Sequence, residues 1–146
     1  MGINVKVINK SPYPLPEYKT EGSAGMDIRA NITNPIKLFP HDRFLIPTGL
    51  YIQCPEGIFG GIYPRSGLAL KVGLSNANGV GVIDKDYTGE IGIIVLNTSN
   101  DPITINPGDR IAQIIFQRYE KCNWLLVDEL DKTERGSGGY GHTGIN

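Results

Sequence analysis

The chain has 146 residues and a net charge of −1, which suits one soluble domain with a sizeable core. That charge excludes a broad surface for nucleic acid or for an anionic membrane. With 40% hydrophobic and 20% charged residues, the composition is globular, and no apolar run reaches membrane-spanning length.

In chain order, Met-Gly-Ile-Asn-Val-Lys-Val opens as a strand over 5–8 and not as a secretory leader. Residues 11–16 hold three prolines and are extended, since proline lacks the N–H and the freedom a helix needs. Ala24-Gly-Met-Asp-Ile-Arg-Ala sets Asp27 in an apolar alternation, where a turn or strand edge is its simplest place. Short strands follow at 44–46, 49–53, 58–63, 91–96, 103–105 and 110–116, many of them rich in β-branched or aromatic residues with turn residues between. Nineteen glycines and ten prolines favour an all-β sandwich or barrel, with no internal repeat. Cys54 and Cys122 have no metal-ligand spacing; two reduced thiols of a cytoplasmic protein are favoured over the one disulfide they could form.

One short helix is predicted at Ser66-Gly-Leu-Ala-Leu-Lys-Val-Gly73, with Ser66 as cap and glycine as stop. Just before it, Arg65 joins Ser66 and Gly67 at a helix start, where unpaired N–H groups attract anions; the bland alternative is a plain cap.

The stretch Asn78-Gly-Val-Gly-Val-Ile-Asp-Lys-Asp-Tyr-Thr-Gly-Glu90 has glycines that permit tight turning, two acids one residue apart and one tyrosine. It is expected to form a hairpin with an open polar tip. Asp84 and Asp86 fit a metal pair, a base beside a structural acid, or turn residues bonding their own backbone, and the residues alone do not choose. Tyr87 fits core or surface equally. Gln113 is the one polar residue between Ile111 and Phe116, so it either finds partners or points out of the sheet. From Arg135 the chain is glycine-rich and cannot build a core. That divides it into a β domain over 1–134 and a flexible arm over 135–146. Glycine-rich backbone can wrap phosphate oxygens, but the tail lacks the lysine of a Walker A loop and the strand–helix setting of a Rossmann fingerprint.

Together and in order, five stretches resemble the trimeric dUTPase family. They are Ala24-Gly-Met-Asp-Ile-Arg-Ala30, Pro64-Arg-Ser-Gly-Leu-Ala69, Gly81-Val-Ile-Asp-Lys-Asp-Tyr-Thr-Gly-Glu90, Gly108-Asp-Arg-Ile-Ala-Gln113 and Arg135-Gly-Ser-Gly-Gly-Tyr-Gly-His-Thr-Gly144. The resemblance implies a jelly-roll-like β fold and a homotrimer with sites shared by three subunits. It also implies hydrolysis of dUTP to dUMP and pyrophosphate with Mg²⁺, which limits uracil in DNA and supplies dUMP for dTMP synthesis. By position, Asp84 would hold and deprotonate the attacking water. Asn78 and the backbone of Gly81, Val82, Ile83 and Asp84 would read uracil, and Tyr87 would pack on the deoxyribose. Arg65, Ser66, Gly67 and Gln113 would contact phosphates. Arg135, Gly141, His142 and Thr143 would close on the terminal phosphates, with Tyr140 stacked over uracil. Asp27 would help position Mg²⁺ through water. Tyr140 and His142 stand where the family usually carries phenylalanine and serine. Two other readings stay open: a dCTP deaminase-like enzyme, for which the strand at 91–96 offers no glutamate, and a nucleotide-binding regulatory protein of the same family.

Overall fold

The structure, a computed structural model, describes residues 2–139. The contacts expected of Tyr140, Gly141, His142 and Thr143 lie outside those residues. Ten strands and one helix follow in the order β1 (Lys6–Asn9), β2 (Met26–Arg29), β3 (Ile36–Leu38), β4 (Arg43–Gln53), β5 (Ile58–Tyr63), α1 (Ser66–Val72), β6 (Leu74–Asn76), β7 (Gly81–Ile83), β8 (Glu90–Asn97), β9 (Ile103–Ile105) and β10 (Arg110–Arg118). One sheet has the order β1-β4-β8-β6, a second β2-β10-β5-β7, and β3 pairs with β9 alone. Every pairing is antiparallel. The two four-stranded sheets are the all-β architecture that the residues predict, in the jelly-roll-like form that the family resemblance implies, with one short helix among the described residues.

Alternation explains the strands. In β8 the inward positions are Ile91, Ile93, Val95 and Asn97, all buried, because successive side chains point to opposite faces. They meet Ile46 and Leu50 of β4 and, from the other sheet, Ile28, Ile62, Ile111 and Ile114 in one core cluster. Each large aliphatic side chain so buried contributes about 1.5–3 kcal/mol. Asn97 is fully buried among them. Its amide donates to the carbonyls of Leu38 (3.1 Å) and Asp101 (2.8 Å), while its Oδ1 accepts from Ser99 N–H and hydroxyl. A buried amide with its bonding capacity used in this way fixes the turn that follows β8.

Three local expectations change. The strands foreseen at 44–46 and 49–53 are one strand, β4, bent at an irregularity between Pro47 and Tyr51. Gly49 makes the bend: its φ is 70°, and a Cβ there would lie 2.7 Å from the Ser11 nitrogen. Ser66 is not the helix cap. Arg65 holds the cap position with extended φ −96° and ψ 124° and makes no side-chain capping bond, while Gly73 ends the helix at φ 76° as predicted. The hairpin foreseen around Asn78 to Glu90 does not form as a paired unit. β7 pairs with β5, β8 pairs with β4 and β6, and the two lie in different sheets. Turn-rich sequence marks a reversal, but which strand becomes the neighbour is settled by which apolar faces must meet.

Both cysteines are free; Cys54 is buried and Cys122 exposed. Burial pushes the Cys54 thiol up, which leaves it inert at neutral pH. No helix among the described residues is long and apolar enough to cross a membrane.

Candidate active site

β2, β10 and β5 lie side by side, and their register brings three of the singled-out stretches to one corner. Gln113 of β10 pairs with Asp27 on one side and with Tyr63 on the other. Opposed residues share a face of the sheet, so Asp27 and Gln113 emerge together beside the chain leaving β5 at Pro64 and Arg65. Asp27 sits between two guanidinium groups. Its Oδ1 accepts from Arg65 Nε at 2.9 Å and its Oδ2 from Arg110 Nη1 at 3.0 Å. The Asp27 side chain is 20% exposed and that of Arg65 27%. A pair this sheltered, with an ionised acceptor, is stronger and better oriented than one on the open surface. Arg65 also reaches the Arg110 carbonyl at 2.8 Å.

Gln113 finds its partner in the Pro64 carbonyl, to which Nε2 donates at 3.0 Å. This settles the choice left open above: it does not simply point away. Its side chain lies over Gly25, where a Cβ would fall 2.6 Å from Gln113 Oε1. Gly25 therefore has to lack a side chain for Gln113 to lie flat. Next along, the Arg65 carbonyl takes the N–H groups of Leu68 and Ala69. The N–H groups of Ser66 and Gly67 open the helix, where no turn precedes them to supply an acceptor. Both residues are exposed, and a Cβ on Gly67 would meet nothing within 4 Å. The corner thus offers two held guanidiniums, a placed amide and open backbone donors, the equipment for a multiply charged oxyanion. Arg110 is the functional candidate that the sequence reading passed over. It stands in the Gly108–Gln113 stretch and opens β10, but nothing in the sequence assigned it a role.

Asp84 and Tyr87 lie at the other end of β5, whereas Asn78 leads into Gly81, which pairs with Ile62 near the exit of that strand. β7 runs antiparallel to β5 with Ile83 opposite Gly60 and Gly81 opposite Ile62. Asp84 therefore follows the far end of β5, while Arg65 lies beyond its near end in extended backbone. At about 3.3 Å per residue the two are roughly 20 Å apart, too far to act on one phosphate. Asp84, Lys85, Asp86 and Tyr87 are all exposed. The Asp84 carbonyl accepts from Tyr87 N–H at 3.2 Å. The Tyr87 hydroxyl donates to the Glu90 carbonyl at 2.8 Å, and its ring lies over Gly89, where a Cβ would come within 2.6 Å of that hydroxyl oxygen. So the ring is folded back on its own loop while the residue stays exposed. Asn78 packs by Gly81, its Nδ2 3.3 Å from where a Gly81 Cβ would stand. Arg135 bends back to the Gly138 carbonyl at 2.8 Å within the tail.

Could this chain hold a metal by itself? Among the described residues no three His, Cys, Asp or Glu side chains gather in a way that could hold one. Both Asp27 oxygens already accept from arginine. That donor set does not fit a caged ion. Each Asp27 oxygen still keeps a lone pair with which it can accept from a water.

A family model described as dUTPase matches residues 11–144. A deoxyuridine 5'-triphosphate nucleotidohydrolase of Finegoldia magna is 55% identical over 97% of this chain and 99% of its own length. One of Fusobacterium nucleatum is 49% identical over 97% of each. Among solved structures, the Staphylococcus bacteriophage 80alpha dUTPase with dUPNHPP superposes with a TM-score of 0.87 at 25% identity, covering 97% of this chain and 99% of that one. A mutant dUTPase from phage phi11 of S. aureus, described with a structural Mg(II) ion, has a TM-score of 0.78 at 24% identity over 88% of this chain and 99% of its own, and shows the fold alone. By a family model spanning most of its length and relatives about half identical throughout, this chain belongs to the dUTPase family.

Proposed function

We propose that the protein hydrolyses dUTP to dUMP and pyrophosphate. The observation that carries the reading is the corner at Asp27, where one carboxylate orients two arginines beside Gln113 and open backbone donors. Relatives named deoxyuridine 5'-triphosphate nucleotidohydrolase support the choice of nucleotide.

In this reading water attacks the α-phosphorus in line. Its oxygen bonds to phosphorus, the bond from that phosphorus to the bridging oxygen breaks, and pyrophosphate leaves. Asp84 holds the water and takes its proton, a role that typically contributes about 10²–10⁴-fold. Arg65, Ser66, Gly67 and Gln113 fix the phosphates, since phosphoryl transfer asks chiefly for positioning and charge stabilisation. Mg²⁺, when bound with the nucleotide, supplies charge neutralisation on its phosphates, and Asp27 accepts from its water shell. Asn78 and the backbone of residues 81–84 read the uracil edge, so that cytosine leaves polar groups unmatched. Tyr87 lies against the deoxyribose and excludes a 2′-hydroxyl. Arg135, Gly141, His142 and Thr143 close over the terminal phosphates with Tyr140 on the base, as a flexible arm over residues 135–146.

The site is completed by other copies of the chain in a homotrimer. Two features support this. Asp84 and Arg65 of one chain stand at opposite ends of β5, so the base of one copy has to meet the phosphate corner of another. Beyond β10, residues 120–137 are exposed throughout, including Trp124 at 93% and Leu126 at 97%, an apolar run that another subunit can cover. No nucleic-acid or membrane partner enters the proposal, and the site of action is the cytoplasm.

The deciding experiment is pyrophosphate release with Mg²⁺ across dUTP, dCTP, dTTP and UTP. Release from dUTP alone is expected. Ammonia from dCTP would replace the reading with a deaminase, and binding without release would make the protein a nucleotide-binding regulator.

A further inference from the structure

Asn76 is the odd residue of β6. The strand is three residues long, with Leu74 and Asn76 buried on its inward face. An aliphatic side chain is what that position calls for. Asn76 is 6% exposed. Its Nδ2 donates to the Ile62 carbonyl at 3.3 Å, and its Oδ1 is the one buried side-chain polar atom among the described residues with no protein donor. A half-satisfied buried amide is a poor device for stability, because burying a polar atom without a partner is costly. What it does achieve is geometric. β6 belongs to one sheet and β5 to the other, so the Asn76–Ile62 bond ties the two sheets together where the chain crosses between them.

That crossing carries Asn78. The Asn76 carbonyl accepts from Gly79 N–H at 3.2 Å and the Ile94 carbonyl from Ala77 N–H at 2.8 Å, with Gly79 at φ 68°. Ile62, which Asn76 holds, pairs with Gly81, and a Gly81 Cβ would lie 3.2 Å from the Ile62 Cβ and 3.3 Å from Asn78 Nδ2. Moving Asn76 therefore moves the Ile62–Gly81 pair and the Asn78 amide resting on it.

We propose that Asn76 is a positioning residue for pyrimidine recognition, which sets the crossing at 77–81 through its bond to Ile62. The proposal rests on the assignment of Asn78 and the 81–84 backbone to the base. Its signature is that stability and recognition part company. In Asn76→Leu the unsatisfied Oδ1 is gone, so the melting temperature holds or rises. The crossing loses its tie, so KM for dUTP rises about 3–10-fold with kcat within about twofold, the pattern of lost uniform binding. The preference for dUTP over dCTP falls by a similar factor. Asn76→Ala, assayed well below its own melting temperature, gives the same split if the leucine variant does not fold. Unchanged KM and unchanged preference in the folded variants would overturn the proposal, as would equal losses in kcat and KM that track a fall in melting temperature. Wild-type turnover of dUTP, measured alongside, separates the two ideas: its absence sinks the function, whereas its presence with unaltered variants sinks only the role of Asn76.

Discussion

The two halves of the candidate site are built in opposite ways. At the Asp27 corner the side chains are gripped: two arginines by one carboxylate and Gln113 by the Pro64 carbonyl. Around Asp84 the loop is exposed and held by its own backbone, by Tyr87 folding back to Glu90, and by Lys85 reaching Glu56. One half is set before any ligand arrives, as electrostatic stabilisation requires. The other is an exposed loop set by its own contacts, which in the proposed reading presents a base and a recognition edge to another copy. A change at the corner should therefore disturb positioning. A change in the loop should be tolerated unless it touches the reacting group.

The largest effect tests that exception. Asp84→Asn keeps shape and nucleotide binding and loses the proton acceptor. Its kcat should fall by about 10²–10⁴-fold with nucleotide affinity, measured by calorimetry, little changed. Wild-type turnover in that variant would remove Asp84 from its role. Second comes Asp27→Asn. It adds no bulk, yet it withdraws the charge shared by Arg65 and Arg110, which are then free to swing. A loss on the order of 10² in kcat/KM is expected, the scale for misplaced binding groups. A smaller loss than that of Asp86→Asn, in the open loop, would reverse the comparison.

How much of this was legible in the sequence differs between the halves for a physical reason. Strands at 58–63 and 103–105 were legible to the residue, because alternation and flanking turn residues are local signals. The helix stop at Gly73 was equally plain. β3 and β6 are as short as the strand at 103–105 but lack its β-branched run, and β2 hid behind Asp27, whose charge interrupts its apolar pattern. The hairpin failed because strand partners are chosen by tertiary burial, on which turn residues are silent. Likewise, Gln113 could be flagged as needing a partner, but the Pro64 carbonyl is 49 positions away. Arg110 and its share of Asp27 span 83 positions. The family resemblance supplied roles for Asp84 and Asn78 that their own spacing left open. It gave no role to Arg110, although Arg110 stands in one of the matching stretches, and none to Asn76; both needed the register of the sheets.

Third in size is Gly25→Ala. Its new Cβ would fall on Gln113 Oε1, the end of a flexible side chain, so the fold survives and the amide is displaced. KM for dUTP should rise about tenfold, as for a lost hydrogen bond to a charged group, while the melting temperature shifts little. Restoring KM with Gly25→Ala, Gln113→Ser, which shortens the side chain and clears the Cβ, would show that crowding was the whole effect and that the amide contributes nothing to binding.

The smallest effect belongs to the loop's one outside tether. Glu56 accepts from Lys85 and has Lys121 at 4.0 Å. The hydrogen bond and charge of Lys85 lower the Glu56 carboxyl below its ordinary value, and the same bond from Glu56 raises the Lys85 ammonium above its own. A lowered carboxylate stabilises the fold above its unfolded pKa and stops doing so as pH falls through its folded one. A raised ammonium contributes below its unfolded pKa and loses that contribution as pH rises through its folded one. The tether is thus intact across the whole neutral range, and its contribution disappears only in acid or strong alkali. Both groups are exposed, so screening keeps its worth small. Glu56→Gln and Lys85→Gln should each leave kcat within about twofold. The double variant should match either single one, because both remove the same contact. Losses that multiply in the double variant would mean that Lys85 acts on Asp84 directly. The loop would then be as finely set as the corner, and the contrast between the two halves would fail.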